Sequence, residues 1–204
     1  MYETAITHWA RKHGIKPNGV VIVGASAGEE REEWQALTNR VIWYEANPVL
    51  WPVLERNVLC IPGHEVVRSA VGSKRGTIKL NVASAMMSSS PLPLGRHAVH
   101  YPQITYTHQV EVPVVDLDAS LKGRYDEFDY LYMDLQGYEG EALTGAKEFL
   151  KHVKWVYTEY NKEEMYLGCW LLPQLTAYLE ACGFKLAEMA ELHPAWGDCL
   201  FIRE

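Results

Sequence analysis

The chain has 204 residues, of which 48% are hydrophobic and 22% charged, a composition typical of a folded globular protein rather than a disordered one. Its net charge of −7 argues against a broad nucleic-acid-binding surface. No apolar run approaches the roughly 20 residues that span a bilayer, and 1–4 does not resemble a secretion signal. We therefore expect one domain, 1–204, with an ordinary core and no membrane span.

The number and spacing of the cysteines indicate the redox state of the cellular compartment. The four cysteines lack a Cys-x-x-Cys pair and are Cys60, Cys169, Cys182 and Cys199. This pattern favours buried or half-buried free thiols over a zinc site or a disulfide framework, and it predicts the cytoplasm by default. We expect no metal.

The first predicted elements surround a glycine turn. After a short helix over 4–13, the β-branched strand 20–23 ends at Gly24, and an acidic helix is expected over 29–37. Gly24 permits a tight turn, and Gly28 permits close approach of a ligand or of the next helix. A strand, a glycine turn and a helix are typical of a nucleotide-type cofactor site, although many such turns bind nothing.

The next strand, 41–45, ends in an acid. Glu45 lies 21 residues after Gly24, where a carboxylate is placed to bind two ribose hydroxyls. The alternative is a solvated acid at a strand end. Pro48 is expected to start the following helix. Together, the glycine turn and Glu45 point to an adenosine-bearing cofactor.

Strands are predicted over 65–71 and, half-exposed, over 77–82, and we expect these two strands to form a small hairpin. A long irregular segment, 84–107, follows them. The segment contains methionines, three prolines, a serine triplet, His97 and His100. Long irregular segments inside compact domains are usually functional or disordered, and this composition favours a lid or substrate wall.

The rest of the chain alternates strands with helices. Strands are expected over 109–115, 128–133, 153–158, 184–189 and 199–202, and helices over 142–150 and 171–181. The pattern predicts an α/β fold with a doubly wound, Rossmann-like, mostly parallel seven-stranded sheet. The last two strands have a short connection and should form an antiparallel hairpin, so that one C-terminal strand is reversed. That architecture is expected of S-adenosylmethionine-dependent methyltransferases, whereas dinucleotide dehydrogenases usually continue in parallel.

Several short motifs occur in order along 20–203. They are Val23-Gly24-Ala25 with Gly28, Tyr44-Glu45-Ala46-Asn47-Pro48, Ala70-Val71-Gly72, Ser88-Ser89-Ser90, Met133-Asp134-Leu135-Gln136-Gly137-Tyr138-Glu139, Leu143 with Gly145-Ala146, Thr158-Glu159-Tyr160-Asn161, and Trp196-Gly197-Asp198. In these motifs the chain resembles the FkbM family of S-adenosylmethionine-dependent O-methyltransferases. It departs from many relatives at Ile22, where they carry an acid, and at Ser26, where they carry Asn or His.

The resemblance implies a site for S-adenosylmethionine. Glycines would lie beneath its methionine moiety, an acid would bind its ribose, and small apolar residues would border its adenine. The implied cofactor-binding residues are Gly24, Ala25, Ser26, Gly28, Glu45, Ala46, Asn47, Ala70, Val71 and Asp134.

An aliphatic hydroxyl acceptor benefits from a base that removes its proton. The candidate catalytic residues are Asp134, His97, His100 and Glu159, with Glu139 also considered as a base. The candidate substrate-binding residues are Ser89, Gln136, Glu139 and Asn161. Asp198 and His193 are interpreted as loop-capping groups, and Tyr138, Tyr160 and Trp170 either wall a sugar site or pack in the core.

The sequence thus predicts methyl transfer to a hydroxyl, on a sugar of a glycan or glycolipid or on another small molecule. The first alternative is an NAD(P)-dependent Rossmann oxidoreductase, although the chain lacks Gly-x-Gly-x-x-Gly and a Tyr-x-x-x-Lys pair. The second is a non-catalytic module of a larger glycan-processing protein or complex.

Overall fold

The computed structural model describes residues 4–204 and contains ten strands. In chain order they are β1 (Val20–Val23), β2 (Val41–Glu45), β3 (His64–Arg68), β4 (Ala70–Val71), β5 (Gly76–Ala83), β6 (Tyr106–Val115), β7 (Tyr130–Met133), β8 (Trp155–Asn161), β9 (Phe184–His193) and β10 (Trp196–Arg203). The α-helices are α1 (Ala5–Lys12), α2 (Arg31–Leu37), α3 (Trp51–Val58), α4 (His97–His100), α5 (Leu117–Ser120), α6 (Glu139–Thr144) and α7 (Leu172–Ala181). Short 3-10 helices occupy Met86–Ser88, Tyr125–Glu127 and Phe149–Lys151.

Seven strands form the main sheet, in the order β3-β2-β1-β7-β8-β10-β9. The first five in this order run parallel, and β10 runs antiparallel to both of its neighbours. The predicted doubly wound sheet, its reversed strand and its C-terminal hairpin are therefore confirmed.

The central strands are buried on both faces, which explains their continuous apolar sequences. Alternate residues of β1, Val21 and Val23, join the core beneath α6 and α7, whereas Val20 and Ile22 join the core that contains side chains of α1, α2 and α3. Because side chains alternate along a strand, the two cores lie on opposite faces of the sheet.

A second, three-stranded sheet was not expected. Its order is β4-β6-β5, with β4 parallel and β5 antiparallel to β6. The single strand predicted over 65–71 is divided at Ser69 between the two sheets. The predicted small hairpin is wrong, because β5 pairs with β6 and not with the strand that precedes it.

Helix boundaries differ from the sequence expectation in three places. Helix α2 begins at Arg31, and α3 begins at Trp51 with Pro52 in its first turn, so Pro48 precedes the helix rather than starting it. The helix predicted over 142–150 is α6 followed by the 3-10 helix Phe149–Lys151.

The segment 84–107 connects β5 to β6 and is ordered. It contains a 3-10 helix and α4, and Ser90 forms a bridge with Asn81 of β5. Ser90 is fully buried, and its hydroxyl donates to the carbonyl oxygen of Gln136 at 2.8 Å. The segment is thereby attached to the loop that follows β7.

All four cysteines are free, as predicted. Cys60 is exposed, which corrects the expectation that every thiol is at least half-buried. Within 4–204, every helix is too short or too polar to cross a membrane.

Candidate functional site

One row of residues crosses the carboxyl edge of the main sheet. Tyr44, Val23, Met133 and Thr158 are register neighbours on β2, β1, β7 and β8. One residue further along, the row reads Glu45, Gly24, Asp134 and Glu159, and Glu159 is in turn the register partner of Asp198 on β10. Open α/β sheets bind ligands at this edge. The fold therefore brings four acids from four strands to the expected ligand site.

The turn after β1 requires glycine at its first position. Gly24 has a φ of +86°, and a Cβ there would lie 1.9 Å from the backbone oxygen of Asp134. Gly28 also has a positive φ, but a Cβ there would meet Val58 of α3 at 2.8 Å. Of the two uses predicted for Gly28, the structure supports close packing of a helix.

The carboxyl group of Glu45 is held at the tip of β2. It accepts backbone N–H hydrogen bonds from Ser26 at 2.8 Å and from Asn47 at 2.6 Å. Glu45 is 6% exposed, so it is not the solvated strand-end acid of the alternative interpretation. Burial raises its pKa to about 7, against the opposing effect of the two hydrogen bonds.

A first cavity opens beside Glu45, with a volume of about 880 Å³ including its mouth. The predicted cofactor residues in its lining are Gly24, Ser26, Glu45, Ala46, Asn47, Ala70, Val71 and Asp134. Leu80, Met86, Ser89, Pro91 and Gln136 complete much of the wall. Ala25 is 1% exposed and, like Gly28, lies outside the lining.

A second cavity, of about 1060 Å³ including its mouth, lies on the β8–β10 side of the first. Its polar lining includes Asp134, Glu159, Asp198, Asn161 and His97, and its aromatic lining consists of Tyr101, Tyr132, Tyr166 and Trp196. Met87, Tyr132, Asp134 and Gln136 line both cavities. The two cavities thus meet at the tip of β7.

The acids of the second cavity are poorly solvated. Burial raises the pKa of Asp134, and it raises that of Glu159 well above its usual range, with repulsion from Asp134 adding to the effect. Burial likewise raises the pKa of Asp198 to about 6. Among residues 4–204, no lysine or arginine lines this cavity.

Gln136 fixes the wall between the cavities. Its backbone has a φ of +52°, which is uncommon for a residue other than glycine. Its side-chain nitrogen donates to Asp134 at 2.6 Å, and its side-chain oxygen accepts from the hydroxyl of Tyr166 at 2.7 Å. These contacts orient the Asp134 carboxyl group between the two cavities.

Two sequence candidates lie away from both cavities. His100 is half-buried, and its Nε2 lies 3.2 Å from a carboxylate oxygen of Glu163. Glu139 is 4% exposed, and its Oε1 accepts backbone N–H bonds from Leu135 and Gly137. His100 is therefore placed for a surface ion pair, and Glu139 for holding the loop after β7, rather than for contact with an acceptor.

The remaining candidates line one cavity each. Ser89 lines the first cavity, where its Oγ accepts from the backbone N–H of Ala83. Glu159, Asn161 and His97 line the second. Burial lowers the pKa of His97, so its imidazole is neutral at physiological pH.

Sequence reasoning missed three acids. Glu29 and Glu30, at the start of the expected acidic helix, line the first cavity, and burial raises the pKa of Glu30 to about 7. Asp198, interpreted as a loop cap, lies within β10 and accepts from the hydroxyl of Tyr157 at 2.6 Å. Extending the predicted hairpin to include 198 could have found Asp198, whereas no sequence signal distinguished Glu29 and Glu30 from their acidic neighbours.

Of the three aromatic residues whose use was left open, none lines the second cavity. Tyr138 lines the first cavity. Tyr160 and Trp170 pack in the core beneath α6 and α7.

Comparison with known proteins gives a consistent result. Residues 23–186 match the sequence model of the methyltransferase FkbM domain. The 2-O-methyltransferase NoeI of Sinorhizobium fredii (strain NBRC 101917 / NGR234) is 22% identical over 164 residues, covering 75% of this chain and 68% of that protein.

Solved structures share the fold. Methyltransferase FkbM from Methylobacillus flagellatus KT superposes with a TM-score of 0.59 and 15% identity, over 90% of this chain and 43% of that chain. Magnesium protoporphyrin IX methyltransferase from Synechocystis PCC 6803, with bound S-adenosylmethionine, superposes with a TM-score of 0.57 and 11% identity, over 98% of this chain and 77% of that chain. The chain thus spans less than half the length of the first of these structures.

Proposed function

The chain belongs to the FkbM family of S-adenosylmethionine-dependent methyltransferases, and on that premise we propose that it methylates a hydroxyl group of a saccharide bound in the second cavity. The observation that carries the proposal is the shared wall. Tyr132, Asp134 and Gln136 line both cavities, so a donor in the first and an acceptor in the second would meet there. The family match favours a methyltransferase over the nicotinamide-dependent alternative.

The first cavity fits the cofactor. Bare backbone at Gly24 allows close approach of a ligand, and each Glu45 oxygen keeps a lone pair for a ribose hydroxyl beside its N–H bond. The side-chain nitrogen of Asn47, which is 1% exposed, has no hydrogen-bond acceptor within 4–204. Ala70 and Val71 offer a small apolar surface suited to an adenine ring.

In S-adenosylmethionine the methyl group is bonded to a positively charged sulfur. An oxygen nucleophile can attack the methyl carbon, and the sulfur is then the leaving group. The protein's main task is then to align the acceptor and to receive its proton. Asp134 is the carboxyl group that lines both cavities, and Gln136 holds one of its oxygens at 2.6 Å. We assign to Asp134 the role of general base: its carboxylate would take the hydroxyl proton as the acceptor oxygen gains the methyl group and the cofactor's sulfur loses it.

Burial tunes Asp134 for this role. A carboxylate with a raised pKa is a stronger base than an ordinary aspartate, provided that it is ionised at the working pH. Tyr132, on the same wall, has its pKa raised well above the usual value by burial, so its hydroxyl stays protonated and is available as a donor.

The saccharide assignment rests on the composition of the second cavity. Carboxylates and an amide bind hydroxyl groups, and the aromatic faces of Tyr101, Tyr166 and Trp196 suit the apolar faces of a sugar ring. The name of the relative NoeI, a 2-O-methyltransferase, supports an oxygen acceptor.

We further propose that 1–204 acts as one catalytic domain and that 84–107, predicted as a lid or substrate wall, serves as the wall. Met87 of this segment lines both cavities, and His97 and Tyr101 line the second. Because the chain spans 43% of the FkbM structure, additional domains in a longer protein would be compatible with this assignment.

Calorimetric titration and mass spectrometry test the proposal. We expect the protein to bind S-adenosylhomocysteine but not NAD, and to transfer a labelled methyl group from the cofactor to a hydroxyl of at least one saccharide in a panel of neutral, amino and acidic glycosides. Failure to bind S-adenosylhomocysteine, or binding without methylation of any glycoside, would overturn it; the second result would favour a non-catalytic module.

A further inference from the structure

Two carboxyl groups lie side by side where the reversed strand β10 pairs with β8. Glu159 of β8 and Asp198 of β10 are register partners in an antiparallel pair, so their side chains leave the same face of the sheet. Like charges directly opposite each other destabilise a sheet. Both residues line the second cavity, where no lysine or arginine of 4–204 balances them.

The hydrogen bonds that these acids receive come from neutral groups. Asp198 accepts from the hydroxyl of Tyr157 at 2.6 Å, and Glu159 accepts a long bond from the side-chain nitrogen of Gln136 at 3.4 Å. Neutral donors offset a paired negative charge less well than a cation does. Repulsion from Asp198 contributes to the raised pKa of Glu159, so the two groups are both ionised at low cost only when a cation lies between them.

A third residue of the same wall has an acceptor atom without a donor. Asn161 lies two residues beyond Glu159, is 1% exposed and lines the second cavity. Its Oδ1 has no hydrogen-bond partner within 4–204. Buried polar atoms are rarely left unpaired, so an unsatisfied acceptor beside two carboxylates indicates a ligand rich in donors.

We propose that the acceptor saccharide carries a protonated amine that binds between the carboxylates of Glu159 and Asp198. This inference rests on the proposed function, because it names the class of saccharide. An ammonium group offers three donors and one positive charge. Trp196, the register partner of Asn161, adds an aromatic ring to the same wall, and aromatic faces attract cations.

Asp134, the third acid of the second cavity, would lie beside the cofactor. Asp134 also lines the first cavity, so the positive sulfur of the cofactor would balance it. Glu159 and Asp198 line the second cavity alone. An acceptor bearing a carboxylate or a phosphate would add a further negative charge beside them and should be rejected.

Calorimetry with paired sugars tests the proposal at pH 7 in saturating S-adenosylhomocysteine. The probes are methyl glucosides with one amine at C2, C3, C4 or C6, each compared with its N-acetylated form, together with methyl glucoside and methyl glucuronide. Acetylation removes the charge and keeps the nitrogen. We expect at least one amine to bind tenfold or more tightly than its acetylated form, and the glucuronide to bind most weakly.

Two variants locate the effect. Asp198→Asn keeps the size of the side chain and an acceptor for Tyr157, and it should reduce the preference for the amine to about twofold. Glu180→Gln removes the same charge from the exposed surface of α7, outside both cavities, and should leave the preference unchanged. Thermal unfolding checks that both variants are folded.

Each other outcome counts against the proposal. Equal or weaker binding of every amine, including no binding of any glycoside, overturns it, as does a full preference retained in Asp198→Asn. Loss of S-adenosylhomocysteine binding by the unmodified protein would instead refute the proposed function, so the two failures are distinguishable.

Discussion

The carboxylate of Glu45 accepts a hydrogen bond from the backbone N–H of Ser26 at 2.8 Å, which ties the tip of β2 to the turn after β1. Ser26 has a φ of +48°, an uncommon conformation for a residue with a side chain. The backbone of Gly24 and Ala25 also donates to Tyr44, at 3.0 Å each. The glycine turn and the acid are therefore one unit, and the shape of the turn depends on the second strand.

Glu45→Gln should weaken binding of S-adenosylhomocysteine at least tenfold. An amide in this position loses the charge that strengthens hydrogen bonds to the ribose hydroxyls, and its NH₂ group would face one of the two backbone N–H donors. Calorimetric titration measures the change. Glu32→Gln is the matched control, because Glu32 lies on α2 with its side chain 84% exposed; equal affinity in the two variants would contradict the role of Glu45.

Gly24→Ala should destabilise the fold far more than a positive φ alone explains. A Cβ at Gly24 would lie 1.9 Å from the Asp134 carbonyl, so β1 and β7 would have to separate. Gly123→Ala provides the comparison, since Gly123 has a φ of +84° and nothing within 4 Å of an added Cβ. We expect Gly123→Ala to cost about 1–2 kcal/mol and Gly24→Ala at least about 2 kcal/mol more. Denaturant unfolding measures both, and similar costs would refute the close approach.

The sequence predicted those parts of the site that depend on local pattern. Val20–Val23 reads as a buried strand because it is apolar throughout, and the spacing from Gly24 to Glu45 follows from one turn, one helix and one strand. The short link between β9 and β10 allowed no crossover, so their antiparallel pairing was predictable.

Features that depend on distant pairing were not predictable. β5 pairs with β6 across the 22 residues that separate them, and nothing local distinguishes this partner from the preceding strand. The two candidate histidines differ only through tertiary packing: His97 is 4% exposed in the second cavity, whereas His100 turns to Glu163. Burial at Glu30 likewise arises from packing that periodicity does not reveal.

Asp134→Asn should lower kcat by about 10²–10⁴-fold, the usual range for loss of a general base. Asparagine retains the size of the side chain and an oxygen for the Gln136 bond, so the affinity for S-adenosylhomocysteine should change by less than about tenfold. Initial rates and calorimetry separate the two effects. His100→Gln, which alters a residue outside both cavities, should keep kcat within about twofold. A kcat of Asp134→Asn near that of the unmodified protein would exclude Asp134 as the base.

The stability of the cofactor-free protein should fall as pH rises from about 4.5 to about 7, in part because of Glu45. Burial raises the pKa of this group from 4.5 in the unfolded chain to about 7, with repulsion from Asp134 adding to the effect, so the folded state binds the proton more tightly. Its contribution is complete below pH 4.5 and is lost as pH passes 7; a shift of this size corresponds to about 3 kcal/mol.

A variant without this carboxyl group isolates its contribution. Glu45→Gln has no titratable group at position 45, whereas Glu139, Glu159 and Asp134 titrate in both proteins. The free energy of unfolding in urea at pH 4.5 and at pH 8 should therefore decrease by about 3 kcal/mol more in the unmodified protein than in Glu45→Gln. Parallel pH profiles for the two proteins would show that Glu45 is ionised without cost, and would rule out the buried environment inferred here.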